Sequence, residues 1–208
     1  WNNFLQKAQA KGVKQWDGTF YRIENIPDIV SGSRILILST IKFSEVRGIK
    51  DNPELSIKFQ TNNIATASSI RTTDGYFIFG VRDSNSMSKS NIDLIGGGLQ
   101  ESELVVNRSS DIFKNELKEI HEETGLVRRD ITKIQGIGIV QSDHSSVIFA
   151  FFTQLNKSRN EVESIFSKNK GDEMILLEFV EEGRLKEYLE DKGDYRPLVA
   201  ELYYENLI

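Results

Sequence analysis

The feature that most restricts the fold of this chain is a group of four glutamates within eight residues, at positions 116, 119, 122 and 123. Residues 111–124 have helical periodicity, so Glu119 lies one turn from both Glu122 and Glu123, and the three carboxylates share one face. Like charges at this spacing would cost a plain surface helix about 0.2–0.5 kcal/mol per pair. A divalent cation such as Mg²⁺ removes that cost, because it prefers oxygen ligands. On spacing alone, an ordinary solvated acidic helix remains the alternative.

The segments around this acidic stretch have the features of a folded helix and its connections. Its apolar positions repeat at helical spacing: Ile112, Phe113, Leu117 and Ile120. Asp111 or Ser110 can cap the helix start, and Gly125 stands where helices commonly end. Three glycines, Gly96–Gly98, follow the strand-like residues 92–95. The order strand, glycine turn, acidic helix, glycine is therefore predicted.

Strand patterns dominate the middle of the chain, with helices at irregular intervals. Strands are predicted at 20–23, 35–39, 65–71, 76–82, 131–140, 146–153 and 174–180. Helices are predicted at 111–124, 159–168, 181–190 and 197–207. This arrangement predicts an α+β protein rather than repeated βαβ units. We expect two parts, a small N-terminal subdomain over residues 1–60 and a main domain over 61–208.

Composition excludes several classes of function. The 208 residues contain no cysteine, so disulfides and thiolate metal sites are excluded, and a reducing compartment such as the cytoplasm is expected. No apolar run approaches the roughly 18 residues that span a bilayer, so no membrane partner is expected. The net charge is −5 and the basic residues are not clustered, which argues against a nucleic-acid polymer as partner. A small phosphorylated molecule bridged by a divalent cation fits this charge better.

Residues 118–126, KEIHEETGL, resemble the second half of the Nudix box, R-E-apolar-x-E-E-x-G-apolar, with Lys118 in place of arginine. The resemblance implies a Nudix-type α/β/α sandwich with a mixed central sheet and hydrolysis of a phosphoanhydride bond with Mg²⁺, or Mn²⁺ as the alternative. It implies that the metal is held by three carboxylates and a backbone carbonyl near Gly97 or Gly98: Glu119, Glu122, Glu123 and Gly98. It also allows a homodimer.

Two departures from the family pattern stand in this sequence. Counting back from Lys118 places Ser110 where the box has its first glutamate, and Gly98 lies 12 residues earlier instead of six. An insertion of about six residues is therefore predicted in the loop 99–109, and the first-half glutamate is expected to be absent. Lysine at 118 keeps the positive charge but lacks the two-pronged geometry of arginine.

The resemblance implies that a carboxylate takes a proton from the attacking water. Glu122 and Glu119 are candidates, and Glu173 is the candidate from a distant loop, with Glu178 behind it. For each of the last two, an acidic surface position is the alternative. No HExxH zinc motif, P-loop lysine or nucleophile elbow offers a different catalytic template.

The N-terminal segment 38–53, the hairpin 72–85 and the long box loop resemble the UDP-glucose pyrophosphatase branch of the Nudix superfamily. That resemblance implies a UDP-sugar substrate, cut to UMP and a sugar 1-phosphate. Phosphate or sugar contacts are expected from Arg71, Arg82, Arg47 and His144, with structural ion pairing as the alternative for the arginines. ADP-ribose or another nucleotide pyrophosphatase substrate, and a nucleotide-binding Nudix module without catalysis, remain the other hypotheses.

Overall fold

The computed structural model describes residues 2–10, 17–26, 30, 32, 35–82, 92–142, 145–169, 174–190 and 195–206. The strands are β1 (Thr19–Ile23), β2 (Leu38–Lys42), β3 (Ile64–Arg71), β4 (Tyr76–Arg82), β5 (Ile92–Asp93), β6 (Ile131–Gln141), β7 (Val147–Leu155) and β8 (Met174–Glu181). The α-helices are α1 (Asn2–Ala10), α2 (Phe43–Lys50), α3 (Pro53–Lys58), α4 (Ser109–Thr124), α5 (Arg159–Asn169), α6 (Leu185–Glu190) and α7 (Arg196–Glu205).

Six strands form a mixed central sheet. Five of the strands are hydrogen-bonded in the order β5-β4-β3-β7-β6. The sixth, β8, also pairs with β4, antiparallel and along the whole length of that strand. Strands β3 and β7 run parallel over eight residue pairs, from Ile64 with Val147 to Arg71 with Gln154. The other pairings in this sheet are antiparallel. The predicted mixed sheet is confirmed.

Two apolar cores lie on opposite faces of the sheet because successive strand residues point to opposite sides. On one face, Ile70 and Ile78 pack with Ile120 of α4 and Val162 of α5. On the other, the core includes residues of α6 and α7, among them Leu189, Val199 and Tyr203. Helices therefore cover both faces, and the predicted α/β/α sandwich is confirmed.

The N-terminal strands β1 and β2 form a separate antiparallel pair that lies against the main sheet. Isolated bridges join Phe20 to Gln100 and Arg22 to Asn63. In a third apolar core, Ile23 of β1 packs with Ile64, Leu99 and Val147. This pair is thus attached beside the glycine loop, which we define as Gly96–Gly98. The domain division at residue 60 stays a prediction.

Element boundaries differ from the predicted ones where tertiary contacts decide them. The predicted strand 35–39 begins at Leu38 and extends to Lys42, in register with β1. The predicted helix 181–190 is split, since β8 continues to Glu181 and a 3₁₀ turn precedes α6. Within the described ranges, no helix combines the length and the apolar character needed to cross a membrane.

Candidate active site

Helix α4, the acidic helix, begins and ends at residues that satisfy its terminal backbone groups. At the start, Asp111 Oδ2 accepts backbone hydrogen bonds from Asn107 at 3.0 Å and Arg108 at 3.1 Å. At the end, Gly125 has the left-handed φ of 77° and donates its N–H to His121 at 2.8 Å. The predicted helix end is confirmed, and the start lies two residues earlier than predicted.

The acidic helix buries most of its glutamates instead of exposing them. Glu116 is 0% exposed, Glu123 3% and Glu119 8%, whereas Glu122 is exposed. Buried carboxylates are rare unless another group compensates them. The alternative of an ordinary solvated acidic face is therefore wrong for three of these four residues.

The glycine loop lies directly against the buried carboxylates. Gly96 donates its backbone N–H to Glu123 Oε2 at 3.0 Å. A side chain at Gly97 would place its Cβ 2.6 Å from the Glu119 carboxyl carbon, so the Glu119 carboxylate lies close to the Gly97 backbone. A side chain at Gly98 would meet the Phe20 ring of β1, with Cβ 2.8 Å from Cδ1. The loop thus joins the acidic helix to the N-terminal strands.

Two protein cations bind the carboxylates of the acidic helix. Lys118 Nζ lies 2.9 Å from Glu119 Oε1 and 2.9 Å from Glu122 Oε2. Arg82 Nη2 lies 3.0 Å from Glu123 Oε1. Three of the four carboxylates thus contact a protein cation, and no three acidic or histidine side chains within the described ranges meet with metal-binding spacing.

The glutamate expected to be absent from the first half of the box is present as Glu103. Its Oε2 lies 2.8 Å from Lys118 Nζ, and five residues separate it from Gly97, which is the box spacing counted forward. The extra residues therefore follow Glu103 instead of preceding it, and placing Ser110 at this position was wrong. Burial lowers the pKa of Lys118, but its bonds to Glu103, Glu122 and Glu119 outweigh this, so its pKa lies above the usual range.

Glu116 is the most deeply buried of the four carboxylates and interacts with Thr66 of β3. Neither of its oxygens has a hydrogen-bond partner among the described residues. Complete burial raises its pKa well above the usual range; the Thr66 hydroxyl acts in the opposite direction, and Glu119 and Glu123 raise the pKa further. The helical spacing of Glu116 did not predict this burial, because spacing alone does not indicate which face of a helix is covered.

A cavity of about 250 Å³ lies beside the glycine loop. Its lining includes Lys50 of α2, Arg82 of β4, Ser146 and Tyr195. Lys50 Nζ donates to Ser146 Oγ at 2.8 Å, so the N-terminal part contributes a side chain to the cavity. Two cationic side chains next to backbone glycines suit a phosphorylated ligand. No sequence pattern identified Lys50.

The remaining predicted residues are placed as follows. Of the three predicted arginines, Arg82 lines the cavity. Arg71 pairs with Glu182 at 2.7 Å and is not among the residues that line the cavity, so its contact with substrate stays a prediction. Arg47 pairs with Asp51 at 2.9 Å and is not among the residues that line the cavity. His144 and Glu173 lie outside the described residues.

Comparison with solved structures finds similar folds at low sequence identity. DR0079 from Deinococcus radiodurans is 13% identical, with 89% of this chain and 99% of that chain covered and a TM-score of 0.53. Tm1382, named as a candidate Nudix hydrolase, is 12% identical, with 100% and 96% covered and a TM-score of 0.52. The Nudix domain of Shewanella oneidensis NrtR, solved with ADP-ribose, is 12% identical, with 76% and 94% covered and a TM-score of 0.51.

These likenesses, together with the α/β/α sandwich, show that the chain has the Nudix fold. No family model matches the chain. No curated protein matches it either.

Proposed function

We propose that this chain hydrolyses the phosphoanhydride bond of a nucleoside diphosphate derivative, with Mg²⁺ or Mn²⁺ bound at the acidic helix. The observation that carries the proposal is the burial of three glutamates, two of which contact the glycine loop, next to a cavity lined by two cationic side chains. A fold of this kind hosts several functions, so the function is inferred from the residues of the site.

The residues present fit a hard divalent cation, because the candidate ligands are all oxygens. Glu119, Glu122 and Glu123 would hold it, and the backbone carbonyl of Gly98 is the proposed further ligand. Gly97 is less suited, since its carbonyl accepts the Thr66 N–H at 2.9 Å. When bound, the cation would neutralise the diphosphate, stabilise charge on the leaving phosphate and lower the pKa of the attacking water.

The protein groups around this position would orient substrate and water. Arg82 and Lys50 would bind phosphate oxygens from two sides of the cavity. The Gly96 N–H holds Glu123 in place, and Lys118, fixed by Glu103, orients Glu119. Glu122, the exposed member of the set, or Glu119 would accept the proton from the attacking water. Glu173 remains the proposed alternative from a loop outside the described residues.

A UDP-sugar is our proposed substrate, on the resemblance of residues 38–53 and 72–85 to the UDP-glucose pyrophosphatase branch. The NrtR domain was solved with ADP-ribose, which makes that molecule the second candidate. Both contain a diphosphate between two sugar-bearing groups. The cavity of about 250 Å³ is smaller than most ligand pockets, which are roughly 300–1,000 Å³, so a nucleotide sugar would extend beyond it.

The substrate proposal is tested by product analysis. Purified protein is incubated with UDP-glucose or ADP-ribose in Mg²⁺, and the products are separated by ion-exchange chromatography. We expect UMP and glucose 1-phosphate from UDP-glucose, and no products in EDTA. Exclusive cleavage of ADP-ribose to AMP and ribose 5-phosphate would contradict the UDP-sugar assignment while supporting the hydrolase proposal.

Replacing Lys50 with methionine is expected to raise KM about tenfold or more with little change in kcat. A charge-assisted hydrogen bond to phosphate contributes about 1.5–3 kcal/mol to binding. If this bond stabilises the bound substrate and the transition state equally, its loss raises KM and leaves kcat unchanged. Steady-state kinetics on the best substrate of the screen measures both constants. Lys58→Met is the matched control, because Lys58 is exposed on the neighbouring helix α3. An unchanged KM in Lys50→Met would remove Lys50 from the binding site.

A further inference from the structure

We propose that Glu116 is a fourth carboxylate ligand of the metal site, binding the divalent cation from the buried side of the acidic helix. This inference rests on the proposed function, because it concerns the cation that the hydrolysis would require. Three glutamates of the helix correspond to the Nudix box; Glu116 lies outside that pattern, two residues before Lys118.

The position of Glu116 on the helix favours this role. It lies one turn before Glu119 and two turns before Glu123, so the three side chains share one face. All three are buried, and Glu116 interacts electrostatically with both of the others. A cation held between Glu119 and Glu123 would therefore be within the region that Glu116 faces.

The lack of a protein partner for Glu116 is the second observation. Its side chain is fully buried, yet neither carboxylate oxygen has a hydrogen-bond partner among the described residues. The Thr66 hydroxyl lies close enough to stabilise the charged form, but it makes no hydrogen bond of ordinary geometry with either oxygen. Thr66 instead accepts the Asn115 side-chain amide at 3.0 Å. A charged carboxylate that is buried without such partners destabilises the fold unless it takes up a proton or a ligand compensates its charge.

The protein cations near Glu116 are bound to other carboxylates. Lys118 contacts Glu103, Glu119 and Glu122. Arg82 contacts Glu123, and its Nε lies 4.0 Å from Asp93. A cation from solution is therefore the partner that suits Glu116, and its two oxygens suit Mg²⁺ or Mn²⁺.

Mn²⁺ binding to Glu116→Gln tests the proposal without relying on turnover. The glutamine keeps the shape of the side chain and removes one charged ligand. We expect electron paramagnetic resonance titration of the full chain to give a Kd for Mn²⁺ at least about tenfold weaker than that of the wild type, since even the loss of a group that supports a metal ligand typically has an effect of this size. In EDTA, the Tm of the variant should equal or exceed that of the wild type, because glutamine matches the shape of the carboxyl group and carries no charge that burial would penalise.

Two further variants keep the test decisive. Glu116→Leu removes the polar group altogether and should weaken Mn²⁺ binding to a similar extent while keeping the EDTA Tm at or above that of the wild type. Glu163→Gln on α5, where Glu163 pairs with Arg159 at 3.0 Å, should leave Mn²⁺ binding unchanged.

The outcomes separate this inference from the proposed function. If the wild type binds Mn²⁺ and both Glu116 variants bind it with the same Kd, Glu116 is not a ligand and the proposed function stands. If the wild type itself does not bind Mn²⁺, both proposals are overturned. Weakened binding in both variants, with an undiminished Tm in EDTA, supports the inference.

Discussion

Replacing Glu119 with glutamine is expected to lower kcat about a thousandfold while leaving the fold intact. Stabilisation of transition-state charge by a bound cation amounts to several kcal/mol, and each 1.36 kcal/mol corresponds to a factor of ten in rate. Glu119 is buried, contacts Gly97 tightly and accepts from Lys118 at 2.9 Å. Glutamine preserves the shape that these contacts require but removes the charge that the cation requires.

The measurement is kcat in saturating Mg²⁺, with circular dichroism to confirm that the variant is folded. Glu163→Gln serves as the matched control, since it makes the same chemical change on α5, a helix that supplies none of the proposed metal ligands. A folded Glu119→Gln variant that keeps more than about a tenth of wild-type kcat would contradict the role assigned to Glu119.

Replacing Gly96 with alanine is expected to lower the free energy of unfolding by about 3 kcal/mol or more. Gly96 has φ of 152°, a conformation that residues with a side chain rarely adopt. Its added Cβ would also lie 2.7 Å from Ala67 Cα and 2.8 Å from the Thr66 carbonyl carbon, both of which belong to the backbone of β3. Because backbone atoms of a central strand cannot move aside cheaply, strain and overlap add together.

Urea unfolding followed by circular dichroism measures this effect. Gly48→Ala is the control, since Gly48 lies within α2 and a Cβ there would meet nothing within 4 Å. Alanine at 48 should raise the free energy of unfolding by about 0.5–1 kcal/mol, because glycine is a poor helix former. Equal stability of Gly96→Ala and the wild type would mean that the loop does not lie this close to β3.

The features that local sequence determines were predicted correctly. The acidic helix, its end at Gly125 and the glycine loop depend on residues close together in the chain, and the structure confirms all three. The mixed sheet and the two helical layers followed from the Nudix resemblance and are confirmed as well.

The features that depend on distant contacts were missed or wrongly assigned. Glu103 is at the spacing of the Nudix box when residues are counted forward from Gly97. Counting back from Lys118 does not reach Glu103, because the inserted residues lie between the two positions, which are in contact in the structure. Arg71 pairs with a carboxylate 111 residues away, which no local pattern indicates. Lys50 enters the cavity because β1 and β2 attach beside the glycine loop, a contact between distant parts of the chain.

A hydrolysis screen of the purified protein tests the central claim most directly. The panel contains UDP-glucose, ADP-ribose, NADH, diadenosine polyphosphates and deoxynucleoside triphosphates, each with Mg²⁺, Mn²⁺ or EDTA, and the wild type is compared with Glu119→Gln. We predict that at least one nucleoside diphosphate derivative is cut to a nucleoside monophosphate, and that EDTA or the substitution abolishes the reaction. Tight nucleotide binding with no turnover in either metal would contradict the account and identify a nucleotide-binding module instead.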